Sequence, residues 1–208
     1  IIHRDAGLLT ARAGPPEGVA VFGLDDSPLS PWYRGKLRYK NRSFTSVAQV
    51  VAWLRARRFH AVAIADEILS VTDPLMLREL SRSVPADEGT WIPELERQMP
   101  PVLHQLVGQN PESLVALMAT VGRRIAFAVK GDLAWGIGLS LDDPDVTDPA
   151  AWPGKNRLGE VLGHVRDGFC GELLPLFGAP AERRDLDDGA IAEVLKLVNA
   201  CFALAEDL

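Results

Sequence analysis

Asp132-Leu-Ala-Trp-Gly-Ile-Gly-Leu139, continued through Asp142-Asp143-Pro144 to Trp152-Pro-Gly-Lys-Asn-Arg-Leu-Gly159, is the stretch on which the fold turns. It gathers glycines, tryptophans, acids and an asparagine, and a helical pattern follows at once, apolar at Leu158, Val161, Leu162, Val165 and Phe169. Asn156 stands where that helix needs a cap. Just ahead, Arg124 to Val129 is apolar enough for a buried strand, with a turn at Lys130-Gly131 and Trp135 to Leu139 as the strand's expected neighbour. Leu141 to Pro153 is an acidic loop, and unstructured loops of about 12 residues or more in a compact domain are usually functional.

Outward from there the chain is mostly helical. Val19 to Phe22 is a β-branched and aromatic run, expected as a strand after an irregular first 17 residues. Leu37 to Tyr39 and Ser43-Phe44 flank Lys40-Asn41-Arg42 and predict a small hairpin. Ser46 with Gln49 has the spacing of a capping box, and Val47, Val50, Val51 and Leu54 follow at helical intervals, with Arg55, Arg57 and Arg58 opposite. A second helix is expected from about Ala61 to Val71. Asp73-Pro74 opens a third, through about Ser83. A fourth begins near Trp91, where Pro100-Pro101 is expected to kink or split it. Asn110-Pro111-Glu112 opens a fifth, through about Val121. After the helix at 157, a last one carries Ile191, Val194, Leu195, Val198, Cys201 and Phe202. The fold class is mainly α with a few short β-strands.

Composition narrows the functions. At 208 residues one domain is expected, with 1–27 as an extension and first strand and 28–208 as the domain proper. A net charge of −6 argues against broad nucleic-acid binding and leaves room for a local basic pocket that takes one phosphorylated ligand. Cys170 and Cys201 fall on apolar helical faces, as reduced thiols of a cytoplasmic protein would. No apolar run reaches the ~18 residues of a membrane span, and Ile1 to Asp5 lacks the regions of a signal peptide. The start at Ile1 rather than Met is expected of a piece of a longer polypeptide.

No metal signature is present: His3, His60, His104 and His164 are scattered, and no Cys or His pair has ligand spacing. There is no phosphate loop, dinucleotide fingerprint or nucleophile elbow, so no cofactor is expected. Gly136-Ile-Gly138 by itself is as well explained by a strand-end turn as by a site.

Taken together, Trp135-Gly-Ile-Gly138, Asp142-Asp143-Pro144, Asp148-Pro149, Trp152-Pro153-Gly154, Asn156, Leu158-Gly159 and Val165-Arg166 resemble the signature of the NADAR (YbiA-like) family. Leu29-Ser-Pro-Trp-Tyr33, the helix from Phe44 to Phe59, Trp91 and Gly108-Gln-Asn-Pro111 fall in the family's order, so the resemblance spans about residues 28–168. It implies a YbiA-like, mainly α domain and hydrolysis of N-glycosidic bonds in phosphorylated riboflavin-pathway intermediates or ADP-ribosyl-guanine. Such chemistry protonates a leaving base, sets an anion near the oxocarbenium-like sugar and holds the base on an aromatic face. In this sequence Asp132 could face the sugar or its water, and Trp135 and Trp32 could stack. Gly136 and Gly138 would line the ligand site, and Gly154 and Gly159 would let backbone approach a ligand or a neighbouring strand closely. Asn156 could bond a ribose hydroxyl or cap its helix, and Arg55 could clamp phosphate or lie solvated beside Arg57 and Arg58.

The departures from that pattern are chemical losses. The family's Glu-His on the first motif helix is Ala48-Gln49 here, and its lysine is Arg55. Its Leu-Val-Glu-Ala strand is Ile125-Ala126-Phe127-Ala128, and a Lys-Phe pair is Gln105-Leu106. Losing one general acid costs about 10²–10⁴-fold in rate. Arginine remains charged and cannot act as an amine nucleophile. The expectation is a catalytically degenerate member that binds an ADP-ribose-like or phosphorylated nucleoside ligand, or a partner protein. One alternative is an active N-glycosidase with relocated acids, Asp132 among them. Another is a helical interaction subunit whose pocket is filled, with Phe127 as a filler.

Overall fold

The computed structural model describes residues 18–24 and 27–173; the first 17 residues, expected to be irregular, Cys201 and the expected last helix lie outside the described residues. The chain divides into two compact units, Pro31–Asn110 on the one hand and Ile1–Ser30 with Pro111–Leu208 on the other.

In the unit of Pro31–Asn110, β2 (Leu37–Tyr39) and β3 (Arg42–Phe44) pair antiparallel. Their link is two residues, Lys40 at φ 48 and Asn41 at φ 60, the left-handed pair that matches strand twist in a tight hairpin. Arg42, expected in the turn, opens β3 instead. Helix α1 (Val47–Arg58) starts at Ser46, whose Oγ accepts from Gln49 N at 3.2 Å. The other half of the capping box is displaced by one residue, because Gln49 Oε1 accepts from Thr45 N at 2.7 Å. Helix α2 (Val62–Ile68) is shorter than its pattern suggested. In α3 (Pro74–Ser83) the Asp73 carboxylate accepts from Leu75 N and Met76 N, both at 2.9 Å, and Pro74 fills the first turn.

Helix α4 (Glu88–Gln109) begins earlier than expected, on an Asp87 cap, and continues through Pro93, Pro100 and Pro101 without being split. An interior proline costs about 3 kcal/mol. Leu95 and Met99 before the pair and Val102, Leu103, Leu106 and Val107 after it are buried. At roughly 1.5–3 kcal/mol per buried side chain, that continuous apolar face outweighs the missing N–H bonds.

In the other unit β1 (Val19–Phe22) lies parallel to β4 (Arg124–Phe127), in a register that sets Phe22 against Phe127. The two rings stack 5.1 Å apart. Between these strands in sequence comes α5 (Pro111–Met118), tied back by Ser113 Oγ donating to Pro28 O at 2.8 Å. The expected neighbour of β4, Trp135 to Leu139, is not a strand. It reaches β4 through Ile137 N donating to Phe127 O at 2.8 Å and forms one bridge, Lys130 with Gly138. Gly138 has φ 84, which ends any extended run there. Val21, Ala126, Ala128, Ile137 and Val146 form a core cluster. Helix α6 (Arg157–Leu173) packs on β4 through its apolar stripe. The domain is mainly α with a few short strands, and no described helix is long and apolar enough to cross a membrane.

Candidate functional site

The segment from Asp132 to Gly159 is laced to itself. The Asp132 Oδ1 accepts from Ala134 N at 3.1 Å and Trp135 N at 2.9 Å, so its carboxylate closes the turn into the Trp-Gly-Ile-Gly run. The run then meets the residues before α6 backbone to backbone. Lys155 N donates to Leu133 O at 3.0 Å, Asn156 N to Gly136 O at 2.9 Å, Gly154 N to Ile137 O at 2.9 Å and Leu158 N to Trp135 O at 3.0 Å. The approach is close enough to require glycine, since a Cβ on Gly154 would lie 2.3 Å from Gly136 O. These glycines admit backbone to backbone.

Asn156 holds the assembly to the sheet. It is buried at φ 54, its Oδ1 accepts from Phe127 N at 3.0 Å, and its Nδ2 donates to Ile125 O at 2.8 Å. Its side chain is therefore engaged by β4 rather than by the first turn of α6, where only its carbonyl takes part, accepting from Glu160 N.

The acidic loop spends its carboxylates locally. Asp143 Oδ1 accepts from Asp145 N and Asp148 Oδ1 from Ala150 N, each at 3.0 Å, the latter capping a single 3-10 turn at Pro149–Ala151. Asp142 titrates below the usual carboxylate range because of a side-chain hydrogen bond with Ser140. Trp152 Nε1 donates to Val146 O at 3.1 Å, which fixes the indole against the core cluster.

The structure gathers Asp132, Trp135, Gly136, Gly138 and Asn156 in this one motif; Trp32 and Arg55 belong to the unit of Pro31–Asn110. The Trp32 ring carries the Arg78 guanidinium 4.7 Å above it. Arg55 is paired with Glu88 and lies 6.0 Å from the Trp91 ring centre. Among the described residues no group of three or more His, Cys, Asp and Glu could hold a metal ion.

A feature without a sequence signal is a cleft of about 630 Å³ along β4 and α6, lined among others by Arg124, Trp152, Lys155, Gly163 and Arg166. Its basic residues come from the start of β4, the turn before α6 and the middle of α6, so no local run of charge announces them. Arg166 is anchored at its rear, donating through Nη1 to Thr120 O at 2.8 Å and Arg123 O at 2.9 Å.

The NADAR domain model matches residues 22–170, which is most of the chain. The chain belongs to the NADAR family. It is 30% identical over 149 residues to Protein irg-1 of Caenorhabditis elegans, covering 70% of each chain. It is 39% identical over 59 residues to N-glycosidase R617 of Acanthamoeba polyphaga mimivirus, covering 28% of this chain and 35% of the viral one. The NMR structure of the Escherichia coli protein YbiA superposes with a TM-score of 0.58 at 21% identity, over 74% of this chain and 87% of YbiA, and has the same fold.

Within that NADAR frame, the departing positions have structural occupations. Gln49 is buried, and its Nε2 donates to Ile68 O at 2.8 Å and Val71 O at 2.9 Å, tying α1 to the end of α2. Ala48 N donates to Pro31 O at 2.8 Å, and its methyl offers no proton. Phe127 is part of the packed β1–β4 pair.

Proposed function

We propose that this NADAR protein binds a phosphorylated nucleoside, ADP-ribose or a close relative, without cleaving its N-glycosidic bond. The observation that carries the reading is α1 itself. The resemblance sets an acid at 48 and a lysine at 55. Here 48 is alanine, and Arg55 is engaged with Glu88 and Trp91. A group fixed in an ion pair, with no accessible neutral form, supplies neither proton nor amine. Of the acids in the signature segment, Asp132 has one oxygen committed to the turn at Ala134 and Trp135, and Asp143 and Asp148 each accept from a backbone N–H of their own loop.

The test pairs chemistry with binding. No base should be released from ADP-ribosyl-guanine or phosphorylated riboflavin-pathway intermediates, as followed by chromatography. ADP-ribose should nonetheless raise the melting temperature; at 100 times the dissociation constant a ligand adds about 2.7 kcal/mol. Ala48→Glu with Arg55→Lys should gain base release. Turnover by the wild-type protein that disappears in Asp132→Asn would overturn the reading in favour of relocated catalysis.

A further inference from the structure

We propose that the cleft along β4 and α6 is where this ligand sits, its phosphates on Arg124 and Lys155 and its base against Trp152. This rests on the reading above that a phosphorylated nucleoside is bound, and gives that ligand a place. None of Asp132, Trp135, Gly136 and Gly138 lines the cleft.

Charge is the first argument. The protein carries −6 overall, yet this cleft is lined by Arg123, Arg124, Lys155 and Arg166 against the carboxylates of Glu160 and Asp167. One of those two is already used, since Asp167 pairs with Arg166 Nε at 3.1 Å. Positive charge thus collects in one concavity of an acidic molecule, the arrangement that draws in a small anion by focusing. Burial, and then the charge of Arg166, hold Arg123 below its usual range. A phosphate in the cleft would offset that repulsion through charge-assisted hydrogen bonds.

Shape is the second. The volume of about 630 Å³ lies within the usual range of small-ligand sites, roughly 300–1,000 Å³. Trp152 is half-buried and pinned through its Nε1, so it presents a ring whose order is already fixed. Gly163 also lines the cleft, and a Cβ there would meet nothing within 4 Å. Glycine in the interior of a helix costs about 0.5–1 kcal/mol relative to alanine, and here it keeps the cleft open.

Titration calorimetry with ADP-ribose and, separately, inorganic pyrophosphate tests the assignment. Arg124→Glu with Lys155→Glu should weaken ADP-ribose by about tenfold or more, and the wild-type affinity should fall with added salt. Gly163→Leu fills the cleft without altering charge and should weaken it similarly. Gly168→Leu, on the same helix and outside the cleft, should leave affinity unchanged. ADP-ribose should bind more tightly than pyrophosphate. If ADP-ribose binds the wild type and both cleft variants alike, the proposed function stands and this site is overturned. If pyrophosphate binds through Arg124 and Lys155 while ADP-ribose is no tighter, the cleft is an anion site and the nucleoside reading falls. Binding of neither overturns both.

Discussion

Asn156 Nδ2 donates to Ile125 O at 2.8 Å across thirty-one positions of sequence, from a residue whose own backbone sits at φ 54. The same amide accepts from Phe127 N at 3.0 Å, so one side chain supplies two of the hydrogen bonds that a neighbouring strand would otherwise give β4 on that side, and Ile137 N supplies another at Phe127 O. This is why β4 needs only β1 as a strand partner. The signature asparagine is a clamp between strand and helix.

Asn156→Ala should therefore cost far more than loss of a helix cap. It strands a buried N–H and a buried carbonyl, at about 1–3 kcal/mol each. Urea unfolding should show a loss of about 2–5 kcal/mol, where a cap would cost about 1 kcal/mol. Asn156→Asp keeps the acceptor but turns a carboxylate on the Ile125 carbonyl, which raises its folded pKa by burial and repulsion. A raised carboxyl pKa destabilises above the unfolded value, so the deficit should shrink as pH falls toward about 4. A deficit independent of pH would refute the geometry.

Gly159 and Gly168 lie on the same helix and should respond in opposite directions. A Cβ at Gly159 would fall 2.2 Å from Ile125 O and 2.6 Å from Asn156 Nδ2, against backbone and clamp together. Gly159→Ala must displace α6 from β4, and should lose about 2–4 kcal/mol. At Gly168 nothing lies within 4 Å, so Gly168→Ala should gain about 0.5–1 kcal/mol from helix propensity. Melting curves of the two variants, measured side by side, check both signs.

Gln49 gives a third contrast. Its amide serves Thr45 N, Ile68 O and Val71 O at once, which neither a histidine nor an alanine can do. Gln49→Ala should destabilise by about 2–4 kcal/mol, while Ala48→Gly, one residue away, should cost about 1 kcal/mol. Equal losses at the two positions would mean the bridge to α2 contributes little.

What the sequence made legible was local. Ser46, Asp73-Pro74 and Asn110-Pro111 each announce a helix start through a side chain that bonds within three residues or a proline that needs no bond, and helices begin there. The NADAR signature carried the fold class for the same reason, as a run of neighbouring residues. Asn156 was misleading because an asparagine before a helix has the composition of a cap, whereas its partners are thirty residues upstream. The prolines of α4 signalled a break that burial on both sides overrides. The β1–β4 pairing and the basic cleft are assembled from distant segments, and nothing local records them. Asp87 has a cap's composition too, but it stands four positions ahead of the helix start expected near Trp91.

That overlooked cap makes a pH prediction. The Asp87 carboxyl is held below the usual range, first by its side-chain hydrogen bond with Thr90 and then by Gly89 N–H. A carboxyl with a lowered folded pKa contributes stability that is present above its unfolded pKa, about 3.9, and lost as pH falls through the folded value. Helix α4 should thus begin to fray at its Glu88 end as Asp87 protonates, below the pH at which free carboxyls titrate. Carbon-detected NMR of the Asp87 carboxyl gives the titration, and amide exchange at Gly89 and Thr90 reports the fraying. Asp87→Asn retains an acceptor and should abolish the pH dependence at those two amides while keeping the helix start. If exchange there still rises with acid in Asp87→Asn, the opening is set by another carboxyl.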